Sequence, residues 1–260
     1  MPKPLPVLIC NSRSGGTLMN RILGSLENVI VLSEVNPWGA FKPMLEQAQE
    51  WFGLINGEEK KDLQSKSFVQ QVDELQKKAI NRNLRLIIRD WSAANFMKGL
   101  VRKKTPSYKL ETIEELKNSF LLQPLVLTRD PYTTWKSNFE NFQKYFDLDK
   151  ETFFYGYEKY LQASQSFPRI RLEDFTAFPQ DYVRWICEYW DLPFSEKGVE
   201  NFHAFDRCTG ENTLAKKMDG RDRIRPVGID PWPTDLDLKT KRMLQRVYSW
   251  TSYEVSGPPS

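Results

Sequence analysis

Arginine, hydroxyl residues and two adjacent glycines crowd into one short stretch near the start of the chain, Asn11-Ser12-Arg13-Ser14-Gly15-Gly16-Thr17-Leu18. These are residue types that hold an oxyanion. Ser12, Ser14 and Thr17 supply hydroxyl donors, Arg13 a planar cation, and Gly15 and Gly16 a backbone that an anion can approach closely. The apolar run from Val7 to Cys10 reads as a buried strand entering the turn. Leu18, Ile22 and Leu26, four residues apart, read as one face of the helix leaving it. A strand–turn–helix of this kind gathers free N–H groups at the positive end of a helix dipole, so residues 13–18 are expected to bind a phosphate-like group.

The turn is not that of a nucleotide triphosphatase. A Walker loop requires G-x-x-x-x-G-K-[ST], whereas here Asn11 stands at the first glycine and Gly16 runs directly into Thr17 with no lysine. A second constellation lies in Leu125-Val-Leu-Thr-Arg-Asp-Pro-Tyr-Thr-Thr-Trp-Lys-Ser137, again a buried strand, a turn and a helix, with Ser137 eight residues after Arg129. Thr133 is the expected cap of that helix, whose apolar face runs through Trp135, Phe139 and Phe142. A third segment, Arg169-Ile-Arg-Leu-Glu-Asp-Phe175, precedes Pro179 and a helix ending Trp190-Asp-Leu-Pro193.

Taken in order, these three segments resemble the sulfotransferases that use 3′-phosphoadenosine 5′-phosphosulfate (PAPS), over roughly residues 5–195. Residues 12–18 are similar to the family's Pro-Arg-Ser-Gly-Thr-Thr-Leu loop around the 5′-phosphosulfate, with Ser12 for the proline and Gly16 for the first threonine. Arg129 and Ser137 match the arginine and serine that grip the 3′-phosphate, although Tyr132-Thr133 replaces a common Arg-Asp. The third segment looks like the family's Arg-Tyr-Glu-Asp-Leu strand. The resemblance implies donor contacts from Arg13, Ser14, Gly15, Gly16, Thr17, Leu18, Arg129 and Ser137, and a metal-free reaction. In tyrosylprotein sulfotransferases and their bacterial relatives a glutamate twenty-one residues after the loop arginine is the base. Glu34 holds that position, with Arg13 beside the moving group. The competing reading makes Glu34 a solvated residue capping the turn before Pro37.

Strands expected near Pro6–Cys10, Val29–Leu32, Leu84–Ile88, Leu125–Thr128 and Arg169–Leu172 alternate with helices. That pattern predicts an α/β fold with a mostly parallel central sheet flanked by helices, and the resemblance implies that it is three-layered and P-loop-like. Glu34 then falls just outside the carboxyl end of the second strand, where ligands of such sheets bind. At 260 residues the chain suits one domain over 1–260, with a donor-binding core at about 5–195 and an irregular part, 196–260, partly covering the donor site. The basic run at 216–225 lies where the family places a late loop on the 3′-phosphate, which singles out Arg221 and Arg223, unless it is merely a solvated charged face.

A net charge of +3, 40% apolar residues and 27% charged residues describe an ordinary globular protein without a nucleic-acid stripe. Cys10, Cys187 and Cys208 form no C-x-x-C motif and point to reduced thiols. Neither a signal peptide nor a membrane span is legible, so a cytoplasmic enzyme is expected. Asp90 at the end of the third strand is the next candidate base, and Arg89 beside it a donor-holding cation or a partner for Asp90. His203, the only histidine, falls too late in the chain for the family's histidine base. Trp38, Trp91 and Phe96 follow strand ends and are candidates to line an acceptor pocket. The acceptor's class stays open among small-molecule, glycan, lipid and peptide hydroxyls. A magnesium-dependent nucleotide kinase and a catalytically inactive nucleotide-binding module are the competing functional readings.

Overall fold

The structure is a computed structural model and describes residues 3–101, 104–143, 149–210 and 223–251. Strand β1 (Leu5–Cys10) is buried along its whole length and sits at the centre of a five-stranded sheet with β2 (Val29–Val35), β3 (Arg85–Trp91), β4 (Leu122–Thr128) and β5 (Arg169–Arg171). The order across the sheet is β2-β3-β1-β4-β5 and every pairing is parallel. All five expected strands are present. β2 and β3 each run three residues further than the apolar pattern indicates, because their polar ends are buried too.

Alternation along the strands divides the core into two faces. Leu8, Cys10, Val31, Ile87, Leu125 and Ile170 face α1 (Gly16–Gly24) and a later helix spanning Pro179–Trp190. The expected face is present, with Ile22 and Leu26 buried in this core and Leu18 packed against it, and Met19 and Leu23 widen the stripe. On the opposite face, Leu5, Ile30, Leu32 and Ile88 pack on α2 (Met44–Glu46), which runs into a π-turn at Gln47–Trp51, and on α3 (Gly57–Gln64) and α4 (Phe68–Asn81). Asn56 and Ser67 each start one of the latter two helices with a capping box. Val7, Ile9 and Val126 on this same face pack on α5 (Ala93–Phe96), α6 (Glu111–Leu116), α7 (Pro131–Phe142) and α8 (Lys150–Ala163).

β5 is short because the chain turns directly into α9 (Leu172–Ala177). Next come α10, the Pro179–Trp190 helix already met, and α11 (Glu196–Glu200). The last described helix, α12 (Leu238–Ser249), returns to pack on α7 and α8. β1 and β4 are neighbours, yet their chains leave to opposite faces, through α1 and α7. Such a divergence opens a crevice at the carboxyl ends of the strands. Among the described residues no helix is long and apolar enough to cross a membrane.

Candidate functional site

Two turns close the crevice between β1 and β4. In the first, the Ser14 hydroxyl donates to the Asn11 carbonyl at 2.6 Å and the Ser12 amide to Asn11 Oδ1 at 2.8 Å. Those bonds turn the chain sharply enough to place Arg13 at φ 60° and Gly15 at φ 91°. Gly15 is the cap residue of α1 and provides no side-chain acceptor. The N–H groups of Gly16, Thr17 and Leu18 therefore open the helix without intrahelical partners. Both glycines also answer to protein neighbours. A Cβ on Gly15 would lie 2.4 Å from Leu172 Cδ1, and one on Gly16 2.7 Å from Cys10 Sγ and 2.9 Å from Arg89 Nε. Ser14 is fully buried, with its hydroxyl committed to holding the turn.

In the second turn the helix cap is Asp130 rather than Thr133. Its Oδ1 accepts the Thr133 amide at 2.7 Å, and Pro131 follows in the first helical position. The Thr133 hydroxyl donates to the same oxygen. Tyr157 fixes the Arg129 backbone by donating to its carbonyl at 2.7 Å. Glu173 accepts the Asp130 amide at 2.8 Å, and the Tyr248 hydroxyl bonds Asp130 Oδ2. Burial holds the Asp130 and Glu173 carboxyls above their ordinary range.

The two turns interlock. Arg13 Nε donates to Ser137 Oγ at 3.0 Å, Arg129 Nη1 to the Arg13 carbonyl at 3.1 Å, and Ser12 Oγ to Asn138 Oδ1 at 2.6 Å. Arg13, Arg129 and Ser137, far apart in the chain, thus share one site. Burial, and then the like charge of Arg129, pull the Arg13 guanidinium below its ordinary value. Two guanidiniums held together against their repulsion suit an anion carrying more than one charge.

A third group meets the first turn from the β3 side. The register of β2 slips between Leu32 and Val35, and at the slip Glu34 takes φ 52°, an uncommon conformation for a residue with a Cβ. Glu34 Oε1 accepts from Arg89 Nη2 at 3.1 Å. Its Oε2 is buried with no hydrogen-bond partner among the described residues. Arg89 is buried as well and donates to Ser33 Oγ at 3.0 Å and to the Thr209 carbonyl at 3.2 Å. Burial, the largest single influence, works against its charge, but Glu34, Cys10 and Cys208 together outweigh it and hold the guanidinium above its ordinary value. Arg89 therefore pairs with Glu34 rather than with Asp90.

Thr209 and Gly210 seat on this pair. The Thr209 carbonyl also accepts from the Thr17 hydroxyl at 3.4 Å, and its amide donates to Ser33 Oγ at 3.0 Å. A Cβ on Gly210, at φ 82°, would lie 2.9 Å from Glu34 Oε1. Arg221 falls outside the described residues. Arg223 is exposed and starts a stretch that crosses the second turn, where the Val227 amide donates to Thr176 Oγ1 and that of Asp230 to Thr133 Oγ1.

Asp90 is enclosed. It accepts from the hydroxyls of Ser92 and Thr112 and from Asn36 Nδ2, and burial pushes its carboxyl up to about 6. Such a group braces the strand ends. His203 is exposed on a 3₁₀ turn at Phe202–Ala204, where its carbonyl accepts from Arg21. Phe96 belongs to the core, 5.6 Å from the Tyr160 ring. Trp91 lies at the sheet's carboxyl edge against Phe41, and Trp38 beneath the Lys104 ammonium. Tyr157, Asn138 and Thr209 were missed by sequence reasoning. Each is a lone polar residue whose partner is 28, 126 or 176 positions away. Glu173 sat within a quoted segment with no role given to it.

Among the described residues no cluster of His, Cys, Asp or Glu could hold a metal ion. No family model and no curated protein matches this chain. Its fold matches solved structures that include two sulfotransferase domains. Against the sulfotransferase domain of the Synechococcus PCC 7002 olefin synthase the TM-score is 0.62 at 15% identity, covering 94% of this chain and 95% of that one. Against the sulfotransferase domain of the curacin biosynthetic pathway it is also 0.62 at 15% identity, covering 98% and 99%. The chain has the α/β, P-loop-like fold of sulfotransferase domains, with its three quoted segments meeting at one edge of the sheet.

Proposed function

We propose that this chain, acting as one domain, is a PAPS-dependent sulfotransferase. The observation that carries the reading is the interlocked pair of turns. Arg13, Arg129 and Ser137 converge beside an uncapped helix N-terminus, so two phosphate-like groups have cations and donors waiting where β1 and β4 diverge. Donor contact by the 16–18 amides and Arg13 at the 5′-phosphosulfate, and by Arg129 and Ser137 at the 3′-phosphate, fits this layout. PAPS supplies an activated sulfuryl group, and adenosine 3′,5′-bisphosphate departs as the acceptor oxygen bonds to sulfur.

Glu34 is the base in this reading. Among the described residues its Oε2 has no hydrogen-bond partner, while Arg89 anchors Oε1 and so aims the other oxygen. Arg13 and the α1 amides offset charge that builds on the transferring oxygens. Cys10, Cys187 and Cys208, sparse and in no C-x-x-C motif, accord with a cytoplasmic setting. Transfer of labelled sulfate from PAPS across a panel of sugar, lipid, phenol and peptide hydroxyls is the test. A chain that binds adenosine 3′,5′-bisphosphate yet labels none of them is a binding module, and one that needs magnesium and ATP is a kinase.

A further inference from the structure

Strand β2 lies at the edge of the sheet, so among the described residues its backbone has no neighbouring strand on one side. At one position a side chain takes the place of that strand. Gln47, fully buried at the start of the π-turn, accepts the Ser33 amide on Oε1 at 2.6 Å. It returns a hydrogen bond from Nε2 to the Ser33 carbonyl at 2.7 Å, and the same nitrogen donates to the Lys42 carbonyl at 2.8 Å. The primary amide thereby reproduces the paired donor and acceptor of a β-bridge. It does so at the residue directly before Glu34, where the register slips and φ turns positive.

Ser33 is itself a junction. Its Oγ accepts from Arg89 at 3.0 Å and from the Thr209 amide at 3.0 Å, and Arg89 in turn holds Glu34 Oε1. Resting on the sulfotransferase reading above, we propose that Gln47 is a positioning residue for that reaction. It locks the Ser33 backbone, and through Ser33 both the strained turn that presents Glu34 and the cation that aims it. Residues 11–18 and 129–137 make none of these bonds to Gln47 directly and meet its network only through Arg89 beside Gly16 and Thr17 on the Thr209 carbonyl, so the proposal predicts a loss of rate ahead of any loss of donor affinity. A hydrogen-bonded glutamine buried in an apolar setting also specifies one register for an edge strand that could otherwise slide.

The test uses the whole protein with Gln47→Leu, and with Gln47→Met as a second variant that matches the unbranched length should leucine prevent folding. Three readings are taken: amide exchange over β2, affinity for adenosine 3′,5′-bisphosphate, and turnover with an acceptor that the wild type sulfates. Loss of the bidentate bond should speed exchange at Ser33 by about tenfold or more and lower kcat by about 10- to 100-fold, with donor affinity unchanged. Unchanged Ser33 exchange overturns the proposal. So does unchanged kcat, or a loss of donor affinity in step with kcat, which would mark general destabilisation. Failure of the wild type to sulfate any acceptor would instead overturn the sulfotransferase reading, and that result is obtained before any variant is made.

Discussion

Replacing Arg129 with alanine probes the donor site where its layout is most specific. The guanidinium donates to the Arg13 carbonyl and stands close enough to Arg13 to lower that residue's affinity for its own proton. If it grips a 3′-phosphate, Arg129→Ala removes a charge-assisted contact worth about 1.5–3 kcal/mol, a loss of roughly 10- to 150-fold in affinity for adenosine 3′,5′-bisphosphate. The repulsion that a bound anion would relieve is already absent in the variant, so the observed loss should fall in the upper part of that range. AMP, which lacks the 3′-phosphate, should bind the variant and the wild type alike. Calorimetry with both nucleotides, at fixed salt and in EDTA, reads the difference directly. Arg129→Lys keeps a point charge but not the planar fork, and should fall between the two. An equal loss for AMP and the bisphosphate would refute the reasoning, since Arg129 would then be only a brace for the first turn.

Glu34→Gln should leave bisphosphate affinity nearly intact and cut turnover by roughly 10²–10⁴, measured as labelled sulfate transfer; a wild-type rate would remove Glu34 as the base. Asp90 should make stability depend on pH in the sense opposite to most carboxylates. Its folded value, about 6, lies above the ordinary 3.8, so the fold favours the protonated form. Stability from this group is then greatest below about pH 4 and declines as pH rises through 6, by on the order of 3 kcal/mol. Denaturant melts of Asp90→Asn from pH 4 to 7 should accordingly show a flatter slope than wild type. Gly15→Ala combines a left-handed backbone with a contact 2.4 Å from Leu172, and should cost about 2–4 kcal/mol in thermal melts while weakening bisphosphate binding.

The strand positions were legible in the sequence because each is a short apolar run ended by a turn, and so were Arg13, Arg129 and Ser137, which keep fixed local spacings. Capping was read less well. Thr133 has the right chemistry for a cap, but Asp130, followed by proline, has the better geometry and took the position. Asp90 could be listed as a base from its place at a strand end. Its enclosure could not, since it depends on Thr112 and Asn36, which approach from other elements. Gln47 and Thr209 left no local signal at all. A glutamine on a polar helix and a threonine in an irregular stretch become informative only once β2 is known to be an edge strand with a slipped register.

Leu172 against Gly15, Glu173 on the Asp130 amide and Thr209 across Ser33 together set an order on how this site comes into being. During synthesis the 11–18 turn is made well before its long-range neighbours: Leu172, which packs on Gly15, follows by some 160 residues, and Thr209, which seats on the Glu34–Arg89 pair, comes later still. A nascent chain that has completed β1 to β4 has the two arginines without their supports. Under the proposed function, ligand affinity is withheld until the last described strand is laid down, and nucleotide binding would then add its free energy to a chain whose sheet is already complete.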